Sequence, residues 1–156
     1  MIEASSSPGA AAEIRFYTLK DAGGTARLRH ACTLVEQAWL AGERVLVWLE
    51  DPAAQAVFDD LLWTFADRAF VPHETLAAGT TAPVALFCGE DPHAGGLSKG
   101  FSTLLMLRDA GADAALRFAR IIEVVDAEPA CRNAGRNRFR FYRERGATPQ
   151  HIEVTQ

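Results

Sequence analysis

The sequence predicts a single α/β domain of the Rossmann-like, three-layer type, with a mostly parallel sheet of about five strands flanked by helices. Two observations lead to this prediction: short, almost continuous apolar runs recur along the chain, and segments with helical periodicity lie between them. An apolar run without polar alternation is typical of a strand that is covered on both faces, as in a parallel sheet. Strands that alternate with helices favour right-handed crossovers with helices on both sides of the sheet.

The predicted strands are the apolar and β-branched runs of the chain. The first is rich in residues with high β propensity, and the second is apolar almost throughout. Glycine, proline and histidine are frequent in the connections between the later runs, which is typical of turns. Strands are predicted at 14–19, 44–49, 83–88, 102–107 and 121–125.

The helices are marked by apolar stripes and by capping residues. Thr25 is the expected N-cap of a first helix, whose apolar residues recur at three- and four-residue steps until Gly42 ends it. Asp51 followed by Pro52 is expected to open a second helix, which runs to about Phe65. A short helix is predicted at 113–119, and a long last helix from about 128 to 146.

The length and composition indicate one soluble domain. A chain of 156 residues buries enough apolar surface to fold without disulfide bonds or a structural metal. Its three cysteines lack the close spacing of zinc or redox sites, so free thiols in a reducing cytoplasm are predicted. Neither a secretory signal nor a membrane-spanning run is recognisable, which favours a cytoplasmic location. The composition of the first residues predicts a disordered tail over 1–13 and one domain over 14–156.

The sequence contains none of the motifs that commonly mark an active site. The turn at 20–25 lacks the spacing of a dinucleotide fingerprint or a phosphate-binding loop, and its Asp21 would repel a phosphate. No serine lies in a G-x-S-x-G elbow, and the four histidines form no metal-ligand pair. We therefore predict no catalytic, cofactor-binding or metal site. A nucleotide-using enzyme remains an alternative, because the fold alone does not exclude one.

The charge of the chain is unevenly distributed. The net charge is −4, yet the stretch 132–145 holds six arginines and one glutamate, a charge of +5, so the rest of the chain carries −9. A basic patch on an acidic body indicates one anionic partner rather than polyanions in general.

The predicted last helix sorts these charges by face. At about 100° per residue, four arginines and one ring fall within about 100° of arc. The opposite side is expected to face the core, but Arg138 and Arg145 project into it, so Arg138 must pair with a carboxylate or extend to the surface. The residues of the basic face are Arg132, Arg136, Phe139, Arg140 and Arg143, and those of the core side are Cys131, Ala134, Phe141 and Tyr142.

Three interpretations of the basic face follow from the residues alone. A guanidinium fork binds a carboxylate bidentately and a neighbouring ring offers an apolar seat, which suits an acidic peptide with a hydrophobic residue and a captured terminal carboxylate. Alternatively, the arginines contact phosphates of single-stranded nucleic acid while Phe139 stacks on a base, although the net negative charge counts against this. The third interpretation is a solvated face that only complements the helix dipole.

Short segments along most of the chain also match a known family in order and approximate spacing. They are 15–19, 42–47, 50–51, 62–63, 70–73, 83–84, 123–126 and 136–143. Together they span about residues 14 to 147, and the Trp63 to His73 block combined with the last helix is the most specific part. On these segments the chain resembles the chi subunits of bacterial DNA polymerase III holoenzymes.

The resemblance implies a non-catalytic accessory subunit of the clamp-loader assembly, without a cofactor. It implies binding of the acidic, Phe-terminated C-terminal tail of single-stranded DNA-binding protein. It further implies a link to the clamp loader through a psi subunit where one exists, nucleic acid contact that is mainly indirect, and no membrane partner.

Carried over residue by residue, the resemblance also implies a set of tail-binding positions. From the residues alone, Trp63 and Phe70 are equally consistent with aromatics of the core or of its edge. Phe139 stands where the best-known members have tyrosine, and arginines stand at 132 and 140 where they have lysine, so charge and ring are kept but a phenolic hydrogen bond is lost. The implied positions are Trp63, Phe70, Arg132, Arg136, Phe139 and Arg140.

Overall fold

The computed structural model describes residues 12–23, 25–67 and 70–154, which contain seven strands and four α-helices. The strands are β1 (Glu13–Thr18), β2 (Val45–Trp48), β3 (His73–Thr75), β4 (Val84–Phe87), β5 (Thr103–Met106), β6 (Arg120–Val125) and β7 (Gln150–Glu153). The helices are α1 (Ala26–Leu40), α2 (Pro52–Thr64), α3 (Ala112–Ala115) and α4 (Pro129–Glu144). The predicted tail over 1–13 lies, except for its last two residues, outside the described residues.

All seven strands belong to one parallel sheet, in the order β3-β4-β2-β5-β6-β1-β7. The predicted Rossmann-like α/β class is therefore confirmed, but the expected number of five strands is too low. The two missed strands, β3 and β7, are short, mainly exposed and located at the two edges of the sheet. An edge strand is not covered on both faces, so it needs no continuous apolar run.

The sheet divides the core into two halves, as the alternation of side chains along β2 shows. Val45 and Val47 pack in a cluster with residues of α1 and α2. Leu46 and Trp48 point to the opposite face and pack in a second cluster, which contains Tyr142 of α4. Helices α1 and α2 therefore cover one face of the sheet, and α4 covers the other.

The capping predictions are confirmed for α2 and only partly for α1. The Asp51 Oδ1 atom accepts a hydrogen bond of 2.8 Å from the backbone N–H of Ala54, and Pro52 is the first residue of the helix. Thr25 immediately precedes α1, but its side chain makes no capping hydrogen bond. The predicted helix at 113–119 is a single turn of four residues, Ala112–Ala115. Gly146 has a φ of +93° just after α4, where a left-handed residue ends the helix.

The cysteines are free thiols, as predicted. Cys32 and Cys131 are buried, while Cys88 is half-buried. Burial raises the pKa of the Cys32 thiol to about 12, which keeps it protonated and unreactive at neutral pH. In the part of the chain that the structure describes, no helix has the length and apolar character needed to cross a bilayer.

Candidate functional site

The last helix, α4, separates a buried stripe from an arginine face. Its buried residues recur at three- and four-residue steps and point to the sheet: Cys131, Gly135, Arg138 and Tyr142. The predicted basic face lies on the other side, with Arg132, Arg136, Arg140 and Arg143 exposed and Phe139 half-buried. The core side differs in detail from the prediction, because Ala134 and Phe141 are only half-buried. Arg145 is exposed, and its guanidinium carbon lies 3.8 Å from the centre of the Phe141 ring.

Phe139 forms part of the floor beside the arginines rather than a fully exposed ring. Its ring centroid lies 5.1 Å from that of Phe16 on β1, in a tilted arrangement. One helical turn earlier, α4 lies very close to β6, since a Cβ atom added to Gly135 would be 2.9 Å from the Cγ2 atom of Val125. This close approach and the two rings create an apolar floor next to the exposed guanidinium groups.

A groove of about 410 Å³ runs between α4 and β7. Its floor contains Phe16 and Thr18 of β1, and its second wall is β7, from which His151 and Glu153 line the cavity. The Thr18 Oγ1 and His151 Nε2 atoms are 2.7 Å apart, and this hydrogen bond joins the floor to the wall. The first wall is α4, which contributes Arg132, Gly135, Arg136 and Phe139.

A second concave section of about 520 Å³ continues along the C-terminal half of α4. It shares Arg136 and Phe139 with the first section and adds Arg140, Arg143 and Glu144. Because two residues line both cavities, the two sections are adjacent. We call them together the arginine groove.

The cations of the arginine groove face solvent rather than carboxylates of the same protein. Among the described residues, none of its four arginines lies within salt-bridge distance of an acidic side chain. Arg140 makes only a long contact of 3.5 Å to the Oδ1 atom of Asn137. Their N–H donors can therefore bind an anion from outside without first breaking an internal ion pair.

Arg138 has the carboxylate partner that the sequence analysis requires of a buried arginine. Its Nε and Nη2 atoms donate to Glu123 of β6 at 2.8–3.0 Å, and its Nη1 atom donates to the backbone oxygen of Asp109 at 3.0 Å. The Tyr142 hydroxyl donates to the same carboxylate at 2.8 Å. Arg138 is 3% exposed and Glu123 is fully buried. Burial and the Glu123 carboxylate both raise the pKa of Tyr142 far above its ordinary value, so it remains a hydrogen-bond donor.

Trp63 and Phe70 lie on a different surface. They are 51% and 59% exposed, so they are not core aromatics, although a place at the edge of the core remains consistent with their packing. Their ring centroids are 5.7 Å apart, and Trp63 also packs on the ring of His73 at 4.9 Å. His73 is held in place by Asp59 and by the backbone oxygen of Val71, both at 2.7 Å. We call the exposed pair Trp63 and Phe70 the aromatic surface.

The structure thus divides the six implied tail-binding residues into two groups. Arg132, Arg136, Phe139 and Arg140 line the arginine groove. The aromatic surface belongs to α2 and the segment that leads into β3, next to the opposite edge of the sheet. Since α2 and α4 cover opposite faces, the six residues do not form one continuous pocket.

Sequence reasoning missed the β7 wall of the arginine groove. The sequence analysis gives His151 and Glu153 no role in a groove, because it does not predict β7 as a strand. A weak signal exists, since Ile152 and Val154 alternate with polar residues, as in an exposed edge strand. Arg143 was placed on the basic face but not among the site residues, although it lines the second section.

Doubly wound proteins bind nucleotides where neighbouring strands send their following helices to opposite faces of the sheet, and here such a point is closed by a hydrogen bond and lined by acidic residues. One such point lies between the carboxyl ends of β1 and β6, whose following helices cover opposite faces. The two loops are joined by a 2.9 Å hydrogen bond from the Ala127 N–H to the Asp21 backbone oxygen. Asp126 and Glu128 follow β6 directly, and carboxylates are unfavourable neighbours for a phosphate. In the described ranges, no cluster of three His, Cys, Asp or Glu residues could hold a metal ion.

The fold and the arginine groove define a three-layer α/β protein with a basic groove along its last helix. The chain belongs to the DNA polymerase III chi subunit family, because the family model described as "DNA polymerase III chi subunit, HolC" matches residues 12–150. The resemblance found in the sequence is therefore confirmed.

Two curated relatives support the same assignment. The chain is 40% identical over 133 residues to the DNA polymerase III subunit chi of Pseudomonas aeruginosa, a match that covers 85% of this chain and 90% of the relative. It is 30% identical over 117 residues to the DNA polymerase III subunit chi of Escherichia coli K12, with 74% and 77% of the two chains covered.

Proposed function

We propose that this chi subunit is a non-catalytic, cytoplasmic adaptor that binds the acidic C-terminal tail of single-stranded DNA-binding protein in the arginine groove. The observation that supports this most directly is that four solvent-facing arginines border an apolar floor in two adjacent sections of one helix face. Membership of the polymerase III family supports a role in replication. Binding the tail would then tie the polymerase assembly to coated single strands.

The two sections of the groove suit different parts of such a tail. The first section is the more apolar, because Phe16, Val125 and Phe139 line it, and it suits the terminal phenylalanine ring. Arg132 and Arg136 line the same section and would bind the terminal carboxylate. The acidic residues that precede the ring would then follow the second section. This direction places negative charges beside Arg140 and Arg143.

The expected affinity is moderate. An exposed ion pair contributes about 0.2–1 kcal/mol, and burial of a phenylalanine side chain contributes about 1.5–3 kcal/mol. Ordering a flexible tail offsets part of these terms. A dissociation constant on the order of 1 µM, or about −8 kcal/mol, follows, and because exposed charges are screened by salt it should weaken as the salt concentration rises.

Calorimetric titration with the terminal peptide of the cognate single-stranded DNA-binding protein tests this proposal. We expect binding near micromolar, and a loss of roughly 10- to 100-fold when the last phenylalanine is deleted, because its burial contributes about 1.5–3 kcal/mol. A peptide of the same composition in scrambled order is the matched control for charge alone. Undetectable binding of the intact peptide at about 100 µM would contradict the proposal.

The alternative of direct single-strand binding has less support from the groove. The Phe139 ring is half-buried and packs against the Phe16 ring, with 5.1 Å between the ring centroids, so it is less available to stack on a base. Bare single strands at physiological salt are therefore expected to compete poorly with the peptide. Strong competition that does not depend on sequence would favour the nucleic acid alternative instead.

We further propose that the link to the clamp loader, through a psi subunit where one exists, uses the aromatic surface. An adaptor holds two partners at once only if their surfaces are separate, and the aromatic surface lies on the opposite face from α4. Two neighbouring rings that are more than half exposed are unusual on a monomer and typical of interface anchors.

Binding measurements on Trp63→Ala with each partner test this second assignment. We expect the affinity for psi to fall by about 10-fold or more, as for a truncated interface anchor, while the affinity for the tail peptide stays unchanged. Leu40→Ala is the matched control, because Leu40 is another strongly exposed apolar residue, 69% exposed at the end of α1. If Trp63→Ala weakened binding of the tail instead, the aromatic surface would belong to the tail site.

A further inference from the structure

We propose that the buried network of Glu123, Arg138 and Tyr142 positions α4. It fixes the rotation of the helix about its axis and its position along β6, and so preserves the geometry of the arginine groove. This inference rests on the proposed function, since it concerns how the tail-binding surface is held. It assigns a role to three residues that do not line the groove.

The network is placed where it can control the setting of the helix. Arg138 directly precedes Phe139 in the chain and lies in the same helical turn as Arg136 and Arg140. Tyr142 follows one turn later, and both side chains converge on the single carboxylate of Glu123. Two anchors one turn apart on α4 and one acceptor on β6 determine both the rotation of the helix and its position along the strand.

Apolar packing alone would fix the rotation and position of α4 less precisely than these hydrogen bonds do. Burial of apolar surface is not directional, so it tolerates a small rotation of a helix on a sheet, whereas hydrogen bonds weaken steeply when their angles change. The surroundings of the network are already apolar, with Ile121 and Val125 beside Glu123 in β6 and facing the same side. Buried ion pairs can often be replaced by apolar residues without loss of stability, so stability alone does not account for the network.

The groove is sensitive to the setting that the network controls. A group about 6 Å from a helix axis moves by about 2 Å when the helix rotates by about 20°. Such a movement is large compared with the tolerance of a bidentate guanidinium–carboxylate pair. It would also separate Phe139 from Phe16, which are 5.1 Å apart between ring centroids. The arginines and the apolar floor would then no longer match one peptide.

The test replaces the whole network by apolar residues in the triple variant Glu123→Leu/Arg138→Met/Tyr142→Phe. We expect a folded protein with an unchanged or higher melting temperature, but a dissociation constant for the tail peptide that is roughly 10-fold weaker or more. Hydrogen exchange of the α4 backbone amides should be faster than in the wild type, because the helix is no longer held in one position on the sheet.

Two further variants separate positioning from stability. Tyr142→Phe removes one of the two anchors but keeps the ion pair, so it should weaken tail binding less than the triple variant does. Leu62→Ala creates a cavity beneath α2 on the other face, and it should lower the melting temperature without changing tail affinity. If the triple variant does not fold, Arg138→Lys takes its place, because lysine keeps the charge but cannot reproduce the bidentate fork.

The possible results are distinct. A folded triple variant, or a folded Arg138→Lys protein, that binds the peptide as tightly as the wild type would overturn the positioning role. If the wild type itself does not bind the peptide, the proposed function fails, and the exchange rates of α4 then decide whether the network holds the helix. Unchanged exchange in the triple variant would overturn the inference in that case as well.

Discussion

Substitution of Arg138 alone by methionine is expected to lower the free energy of unfolding by about 3–5 kcal/mol. The substitution leaves the Glu123 carboxylate fully buried, with the Tyr142 hydroxyl as its remaining side-chain partner in the described structure. A buried carboxylate without a cation carries a large desolvation penalty, and the methionine side chain has no charge or N–H donor to offset it. Urea denaturation at 25 °C, analysed with a common slope for wild type and variant, measures the difference.

Arg136→Met is the matched control for this prediction. It makes the same chemical change two residues earlier in α4, at an exposed position without a salt bridge among the described residues. Its effect on the free energy of unfolding should stay within about 0.5 kcal/mol, as for most surface substitutions. Equal changes in the free energy of unfolding in the two variants would contradict the prediction, because the network around Glu123 would then contribute no more to stability than an exposed arginine does.

Reversal of the charge at Arg136 should have the largest effect on binding. Arg136 lines both sections of the arginine groove, so Arg136→Glu removes a cation from the centre and places a carboxylate there. Loss of an exposed ion pair costs about 0.2–1 kcal/mol, and a like charge placed against an acidic peptide costs several kcal/mol more. We expect the dissociation constant of the tail peptide to rise by roughly 100-fold or more at low salt.

Fluorescence anisotropy with a labelled peptide over a range of salt concentrations measures this change. The salt dependence should also become weaker in Arg136→Glu, since fewer favourable ion pairs remain to be screened. Arg117→Glu controls for the change of net charge, because Arg117 is exposed and does not line the arginine groove. A similar loss of affinity in both variants would indicate a general electrostatic effect rather than a defined groove.

The sequence predicts well those parts of the fold that are determined by residues close together in the chain. The apolar run at β2, the Asp51 cap with Pro52, and the sorted faces of α4 depend on residues that are close together in the chain. In each case a neighbouring side chain or a helical period determines the structure. These elements were found at nearly their observed bounds.

The parts that the sequence does not predict depend on distant pairings. β7 becomes a wall of the groove only because it pairs with β1, from which it is separated by most of the chain. Arg138 could be recognised as an anomaly on the core side, but its partner Glu123 could not be named without the strand register. The opposite faces of α2 and α4 likewise follow from the strand order, which local patterns do not contain.

The arginine groove combines the two ends of the domain. Its floor comes from β1, the first strand, while its walls come from α4 and β7, the last elements to be synthesised among those described. A nascent or partly unfolded copy would lack either floor or walls, and it could not compete with mature molecules for the same ligand. Ligand binding and global folding are therefore coupled, so any occupant of the groove protects the whole domain against unfolding and proteolysis, not just one local segment.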